Sequence, residues 1–343
     1  MKSVFATCLT VLLGLALACP AQAAGGLKRI GSTPWGPFDH YTVPRADGTA
    51  IDVYIASAVD AENAPTVVFF GGSKCLPVAM LGKNRTVSAL MFFEHLSNHA
   101  SKANVVVVEK RGLKSFGPPP ASKDEAKKMM DEAFVGGLLY LKDTRVDDGV
   151  AVVRALLAEK AFRRVHLAGH SEGGDVITGV AKALKGKGVL SVGLMAGAGP
   201  TRFFETGQLA RKDGGAAGIK AVFDQEIALA ANPSGGPDEM QSVTYALRSS
   251  PLDDLRGLKV PVFMAHGDED EKAPVSAADA FAAELFRDPG QPLTYLMLPG
   301  LDHSFTDKAG KDHSGDLLEY YLAWVLRGGY PRVVITGLPA KAK

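Results

Sequence analysis

The chain has 343 residues, of which 46% are hydrophobic and 22% charged, which is ample for one large apolar core. Its 38 basic and 37 acidic side chains give a formal net charge of +1, and this near balance argues against a nucleic acid or an anionic membrane as partner. Only three cysteines are present, so a fold stapled by several disulfides is excluded.

The N-terminal residues predict a secretory signal peptide, residues 1–23. Lys2 provides a positive charge, Val11–Ala18 form a short apolar run, and Ala21–Ala23 is a small-x-small cleavage site. We therefore expect cleavage before Ala24 and export to the periplasm or to the outside of the cell. The alternatives are an N-terminal membrane anchor, for which the apolar run is short, and lipid attachment at Cys19.

Removal of the signal changes two properties of the chain. Lys2 is the only charged residue within it, so the formal net charge falls to zero. Cys75 remains as the one cysteine of the mature chain, which cannot form an internal disulfide. We expect no membrane span after signal removal.

From Tyr41 onward, strand patterns alternate with helix patterns. Tyr41–Val43 and Ile51–Ile55 flank the turn dipeptide Asp47-Gly48 and predict an antiparallel hairpin. Continuous apolar runs predict buried parallel strands at Thr66–Phe70, Val105–Val108, Val165–Ala168, Val189–Met195, Val260–Ala265 and Leu293–Leu298. Helical patterns lie at Val146–Leu157, Val176–Leu184, Ala277–Leu285 and Leu317–Leu326. The alternation predicts an α/β fold, with a mostly parallel, twisted sheet and helices on both of its faces.

Two stretches interrupt this alternation, at about 116–145 and 201–250. We interpret both as insertions that form helical caps over the sheet edge, so that residues 24–343 make a single domain. The last residues, Pro331–Lys343, are expected to form a tail.

One motif between a strand pattern and a helix pattern carries the chemistry. Residues 169–174 read Gly-His-Ser-Glu-Gly-Gly, which contains the Gly-x-Ser-x-Gly of a nucleophile elbow. The turn is so tight that its flanking positions tolerate little side chain, and it exposes the serine at the end of the strand. We therefore predict Ser171 as a nucleophile; the alternative is an ordinary glycine-rich turn.

A serine hydroxyl needs a base to remove its proton. In folds with this elbow, an acid and then a histidine follow the serine along the chain. Three histidines lie downstream, and His303 follows the last strand pattern directly, which is where a base can reach the elbow. His266 ends a strand and is expected to support the loop of the acid, whereas His313 lies in a polar stretch and is expected to be solvated.

The acid is sought in the loop after Val260–Ala265, which carries four carboxylates. Asp270 stands three residues after Gly267 and four before Pro274, and we predict it as the acid. Asp268 is the alternative.

Two N–H donors are needed for the oxyanion of a tetrahedral intermediate. One is expected to be the backbone N–H of Glu172, the residue after the nucleophile. The other is expected from the loop after Thr66–Phe70, where Gly72 is the first choice and Ser73 the alternative.

Together these motifs resemble the α/β-hydrolase superfamily, from about Tyr41 to Leu326. Residues 109–112, Glu-Lys-Arg-Gly, are similar to its Asp-x-Arg-Gly loop, and the elbow is similar to those of carboxylesterases and of prolyl-oligopeptidase-like and aminopeptidase-like members. The chain departs from the pattern at Phe70, where many esterases have histidine. The resemblance implies a serine hydrolase with the triad Ser171, Asp270 and His303.

The expected reaction is cleavage of a small-molecule carboxylic ester through an acyl-serine intermediate, with a peptide or amide as the second substrate class. A non-catalytic binding protein on the same fold is a further alternative. No cofactor is predicted, and no metal site, because His95 and His99 share a helical face with no Glu-x-x pattern between them. The substrate and the oligomeric state stay open.

Overall fold

A computed structural model describes residues 26–73, 76–82, 86–88, 92–122, 124–125, 128, 142–197, 199–231 and 250–339. The predicted signal peptide and Cys75 lie outside these residues, as do parts of both predicted insertions. In the described part, ten strands form one sheet in the order β1-β2-β3-β7-β4-β8-β9-β10-β11-β12. Their bounds are β1 Lys28–Ser32, β2 Asp39–Pro44, β3 Ala50–Ala56, β4 Thr66–Phe70, β7 Asn104–Val108, β8 Val165–His170, β9 Val189–Met195, β10 Val262–Gly267, β11 Leu293–Leu298 and β12 Val333–Thr336. Two short strands, β5 (Ala79–Leu81) and β6 (Thr86–Ser88), form a separate antiparallel pair.

The sheet is parallel from β7 to β12 and antiparallel at its N-terminal edge. All five residues of β4 and all five of β7 are buried, as expected for parallel strands covered on both faces. The predicted hairpin is confirmed, because β2 and β3 pair antiparallel with Tyr41 opposite Val53. The predicted α/β class with a mostly parallel sheet is therefore confirmed.

Helices cover both faces of the sheet. Against one face pack residues of the helices after β7, β8 and β10, including Val153, Ile177 and Phe281. Against the other face pack Leu96, Leu317 and further residues of the first and last helices. The helices are α1 Phe93–Asn98, α2 Lys142–Ala158, α3 Glu172–Ala183, α4 Arg202–Ala231, α5 Pro251–Leu255, α6 Val275–Phe286 and α7 Ser314–Arg327, with a 3₁₀ turn at Lys160–Phe162. No helix in the described residues is both long and apolar enough to cross a membrane.

Two predictions of local structure were wrong. Residues 333–336, expected in a tail, form β12, which pairs parallel with β11 and alternates half-buried and exposed side chains as an edge strand does. The strand expected from Val260 begins at Val262, because Pro261 has no N–H for the ladder. Helix α4 lies within the second predicted insertion and is kinked at Gly215, where φ is 59°.

Candidate active site

Ser171 lies at the junction between β8 and α3. Its φ of 54° and ψ of −129° are a strained combination for a residue with a side chain, which costs about 1–3 kcal/mol. Two backbone hydrogen bonds hold it: the N–H of Ser171 donates to the Met195 carbonyl at 2.9 Å, and the N–H of Gly174 donates to the Ser171 carbonyl at 2.8 Å. The strand-to-helix turn predicted for this motif is therefore present, and it leaves the serine half-buried.

Two glycines of the motif are required by contacts within the turn. A Cβ atom on Gly169 would lie 2.3 Å from the carbonyl oxygen of Gly173. A Cβ atom on Gly173 would lie 2.1 Å from the carbonyl oxygen of Phe70. Both positions therefore admit no side chain unless the backbone moves.

Asp270 and His303 meet at the carboxyl ends of β10 and β11. The Nδ1 atom of His303 lies 2.8 Å from Oδ2 of Asp270, and the carboxylate is fully buried while the imidazole is 12% exposed. Oδ1 of Asp270 accepts the backbone N–H groups of Lys272 and Ala273, each at 2.8 Å. Burial alone would raise the pKa of Asp270, but the hydrogen bond from His303 and the Ala273 N–H hold that pKa below its usual value. The carboxylate is thus kept ionised against the imidazole.

Asp268 occupies a different position. Its side chain is exposed and accepts the N–H of Gly300 at 2.6 Å, at the turn that follows β11. The carboxylate that contacts His303 is therefore that of Asp270.

The other downstream histidines have separate roles. His266 is buried behind Asp270, with Nε2 2.8 Å from the Ala273 carbonyl and 3.5 Å from Oδ2 of Asp270, as expected for a residue that supports this loop. His313 was expected to be solvated, but its side chain is 19% exposed and its Nε2 lies 3.0 Å from Oδ2 of Asp307. The turn before α7 folds back on itself and provides that partner.

The expected oxyanion loop lies against Ser171. A Cβ atom on Gly72 would be 3.0 Å from Cβ and 3.4 Å from Oγ of Ser171, so the backbone of Gly72 approaches the serine as closely as glycine allows. Glu172 is the first residue of α3, where a backbone N–H has no partner within the helix. Ser73 lines the same cavity.

Sequence reasoning missed two residues of this region. His170, one residue before Ser171, contacts the backbone of His303, with Nε2 3.0 Å from its carbonyl oxygen. Arg145, assigned to an insertion, lies in the first turn of α2, pairs with the Glu172 carboxylate and donates to the Gly71 carbonyl at 2.8 Å. No local pattern could have revealed either contact, because each joins segments that are far apart in sequence.

A cavity of about 550 Å³ opens over these groups and is lined by Ser171, His303, Gly72 and Glu172. Its wall also holds Glu109, from the Glu-Lys-Arg-Gly loop. The Glu109 side chain is buried and accepts the backbone N–H groups of Val78 at 3.0 Å and of Lys110 at 2.9 Å. Burial raises the pKa of this carboxyl group. The volume lies within the range of ligand-binding pockets in proteins.

Comparisons with known proteins agree with this fold. The sequence model of the prolyl oligopeptidase family matches residues 220–328, a segment that contains Asp270 and His303. No curated protein sequence matches the chain.

Similar solved structures include peptidases and an esterase. Acylaminoacyl peptidase of Pyrococcus horikoshii is 17% identical with a TM-score of 0.55, over 88% of this chain and 43% of that one. A puromycin-hydrolyzing peptidase of Mycobacterium tuberculosis is 17% identical with a TM-score of 0.53, over 87% and 40%. Est1E from Butyrivibrio proteoclasticus is 14% identical with a TM-score of 0.51, over 84% and 98%.

The chain spans about two fifths of the length of these peptidases and nearly the whole length of Est1E. The parallel sheet, the strained turn at Ser171 and the family match lead to one conclusion. The chain has the α/β-hydrolase fold, and its residues 220–328 are similar to the prolyl oligopeptidase family.

Proposed function

We propose that the chain is a serine hydrolase that transfers an acyl group to water through an acyl-Ser171 intermediate. The observation that carries this proposal is the contact of 2.8 Å between Nδ1 of His303, which lines the same cavity as Ser171, and the buried Asp270 carboxylate. Because Asp270 is ionised, Nδ1 carries the proton, and the lone pair of Nε2 is available to act as a base.

In this mechanism, the Oγ atom of Ser171 attacks the substrate carbonyl carbon while His303 accepts its proton. The N–H groups of Glu172 and Gly72 donate to the oxyanion that forms. His303 then gives the proton to the leaving group, the acyl-enzyme forms, and a water molecule activated by His303 releases the acid. Asp270 orients the imidazole and stabilises its charged form.

We propose a carboxylic ester as the substrate. Nearly the full length of the esterase Est1E superimposes on this chain, which supports the choice. A peptide or amide is the second candidate, favoured by the prolyl oligopeptidase match and by the peptidases among the similar structures.

A substrate panel tests the proposal and separates the two candidates. We expect purified protein to hydrolyse aryl esters of graded acyl length, with turnover lost in Ser171→Ala and retained in Ser101→Ala, a matched change at an exposed serine. Faster turnover of aminoacyl or peptidyl anilides than of the esters would favour the second candidate. Turnover that persists in Ser171→Ala would refute the mechanism.

We further propose that the protein is exported, on the basis of the signal pattern in residues 1–23.

A further inference from the structure

Arg145 connects the two segments that are proposed to supply the oxyanion donors. One arm of its guanidinium, Nη1, pairs with the carboxylate of Glu172, and the other, Nη2, donates to the carbonyl of Gly71 at 2.8 Å. The Arg145 and Glu172 side chains are only 7% and 9% exposed. A desolvated, forked contact of this kind is geometrically far more restrictive than a surface ion pair.

The contact with Gly71 bears directly on the N–H of Gly72. The two groups belong to one peptide unit, and a planar trans peptide directs its C=O and its N–H in opposite directions. A carbonyl held by Arg145 therefore fixes the direction of the Gly72 N–H, on a residue that lies against Cβ and Oγ of Ser171. The positive charge of the guanidinium next to the carbonyl oxygen also polarises the peptide and strengthens its N–H as a donor.

The contact with Glu172 constrains the other donor. Glu172 follows Ser171, and its N–H is the first of α3. Its side chain is anchored by Arg145, so movement of the helix N-terminus relative to the Gly71-Gly72 loop requires the pair to break. Breaking it would leave a charge buried without its partner, which is strongly unfavourable.

We propose that Arg145 is a positioning residue that sets the geometry of the oxyanion site, by aligning the Gly72 N–H with that of Glu172. This role of Arg145 makes Gly72, rather than Ser73, the second oxyanion donor. This inference rests on the proposed function, since an oxyanion forms only if Ser171 attacks a carbonyl. Arg145 does not line the cavity, so its effect on the transition state acts through the loop.

The test compares Arg145→Met with a matched control, Arg45→Met. Arg45 makes a similar buried ion pair with Asp148, which lies in the same helix α2. Its Nε and Nη2 atoms each lie 2.7 Å from one carboxylate oxygen of Asp148. Arg45 is not among the residues that line the cavity. We expect Arg145→Met to lower kcat roughly 10- to 100-fold, a fraction of what a lost oxyanion donor costs, with KM changed less than about threefold. Arg45→Met should lower the Tm and leave kcat near that of the wild type.

A second readout isolates the oxyanion. A trifluoromethyl ketone forms a tetrahedral adduct with a catalytic serine, so its inhibition constant should rise in Arg145→Met by about the factor lost in kcat. If Arg145→Met does not fold, Arg145→Lys keeps the charge without the fork and should show the same paired losses in smaller measure.

The outcomes separate the two proposals. The role of Arg145 would be overturned if the Arg145 variants lost kcat without a matching loss of ketone affinity. It would also be overturned if their kcat loss were no greater than that of Arg45→Met. Either result would leave the proposed hydrolase function intact. A wild type that neither turns over esters and anilides nor binds the ketone would overturn the proposed function, and this inference with it.

Discussion

The Nε2 atom of His170 lies 3.0 Å from the backbone carbonyl oxygen of His303, and the two imidazole rings are 5.0 Å apart. This hydrogen bond ties the loop after β11 to the end of β8. The residue before the proposed nucleophile therefore fixes the backbone of the proposed base.

This contact predicts that His170→Leu lowers kcat by roughly 3- to 30-fold, because one buried hydrogen bond, worth about 1 kcal/mol or somewhat more, holds the His303 loop in place. The Tm should fall by only a few degrees. Steady-state kinetics and thermal unfolding check this. A variant with wild-type kcat would show that the loop is held by other contacts.

The acid is tested by a pair of substitutions. Asp270→Asn should lower kcat by about 10⁴-fold, because the amide cannot stabilise the imidazolium and favours the wrong tautomer of His303. Asp268→Asn changes an exposed carboxylate that accepts the N–H of Gly300, and it should change kcat little. The reverse ranking in kinetic assays would assign the acid to Asp268.

The same carboxylate predicts a pH dependence of stability. The folded protein lowers the pKa of Asp270, so its ionised form stabilises the fold above the unfolded-state pKa, near 4, and this stabilisation is lost as the pH falls through the folded-state pKa. The difference in unfolding free energy between wild type and Asp270→Asn should shrink from pH 7 to pH 3. Urea unfolding at both values measures it; a constant difference would contradict the assignment.

The tight turn at Ser171 predicts that Gly173 does not tolerate even the side chain of alanine. Gly173→Ala places a Cβ 2.1 Å from the Phe70 carbonyl and should destabilise the protein by about 3 kcal/mol or more. Gly214→Ala is the control, since nothing lies within 4 Å of its Cβ position in α4, and it should be neutral or stabilising. Denaturant unfolding of both variants gives the comparison.

The proposed export predicts a processed N-terminus. Expression of the full chain in a bacterial host should yield protein that begins at Ala24 in the periplasm or the medium, as intact mass would show. Full-length protein retained in the cytoplasm would contradict the signal assignment.

Several features could be predicted because each is written in a short stretch of sequence. The buried β-branched run of β4 and the tight Gly-His-Ser-Glu-Gly-Gly turn need only local steric rules. The spacing from Gly267 to Asp270 pointed to the carboxylate that contacts His303.

Other features depend on tertiary contacts and could not be read in this way. Arg145 reaches across 27 residues to Glu172 and 74 to Gly71, and His170 reaches across 133 to His303. Strand β12 is too short and too half-exposed to stand out from a tail. Such residues acquire their roles only when the sheet brings the loops together.

Labelling with a fluorophosphonate, which forms a covalent bond only with an activated serine, tests the central claim most directly. Peptide mapping of the wild-type adduct should place the label on Ser171, with no label in Ser171→Ala and greatly slowed labelling in His303→Ala. Folded wild-type protein that stays unlabelled, or a label on another serine, would contradict the account.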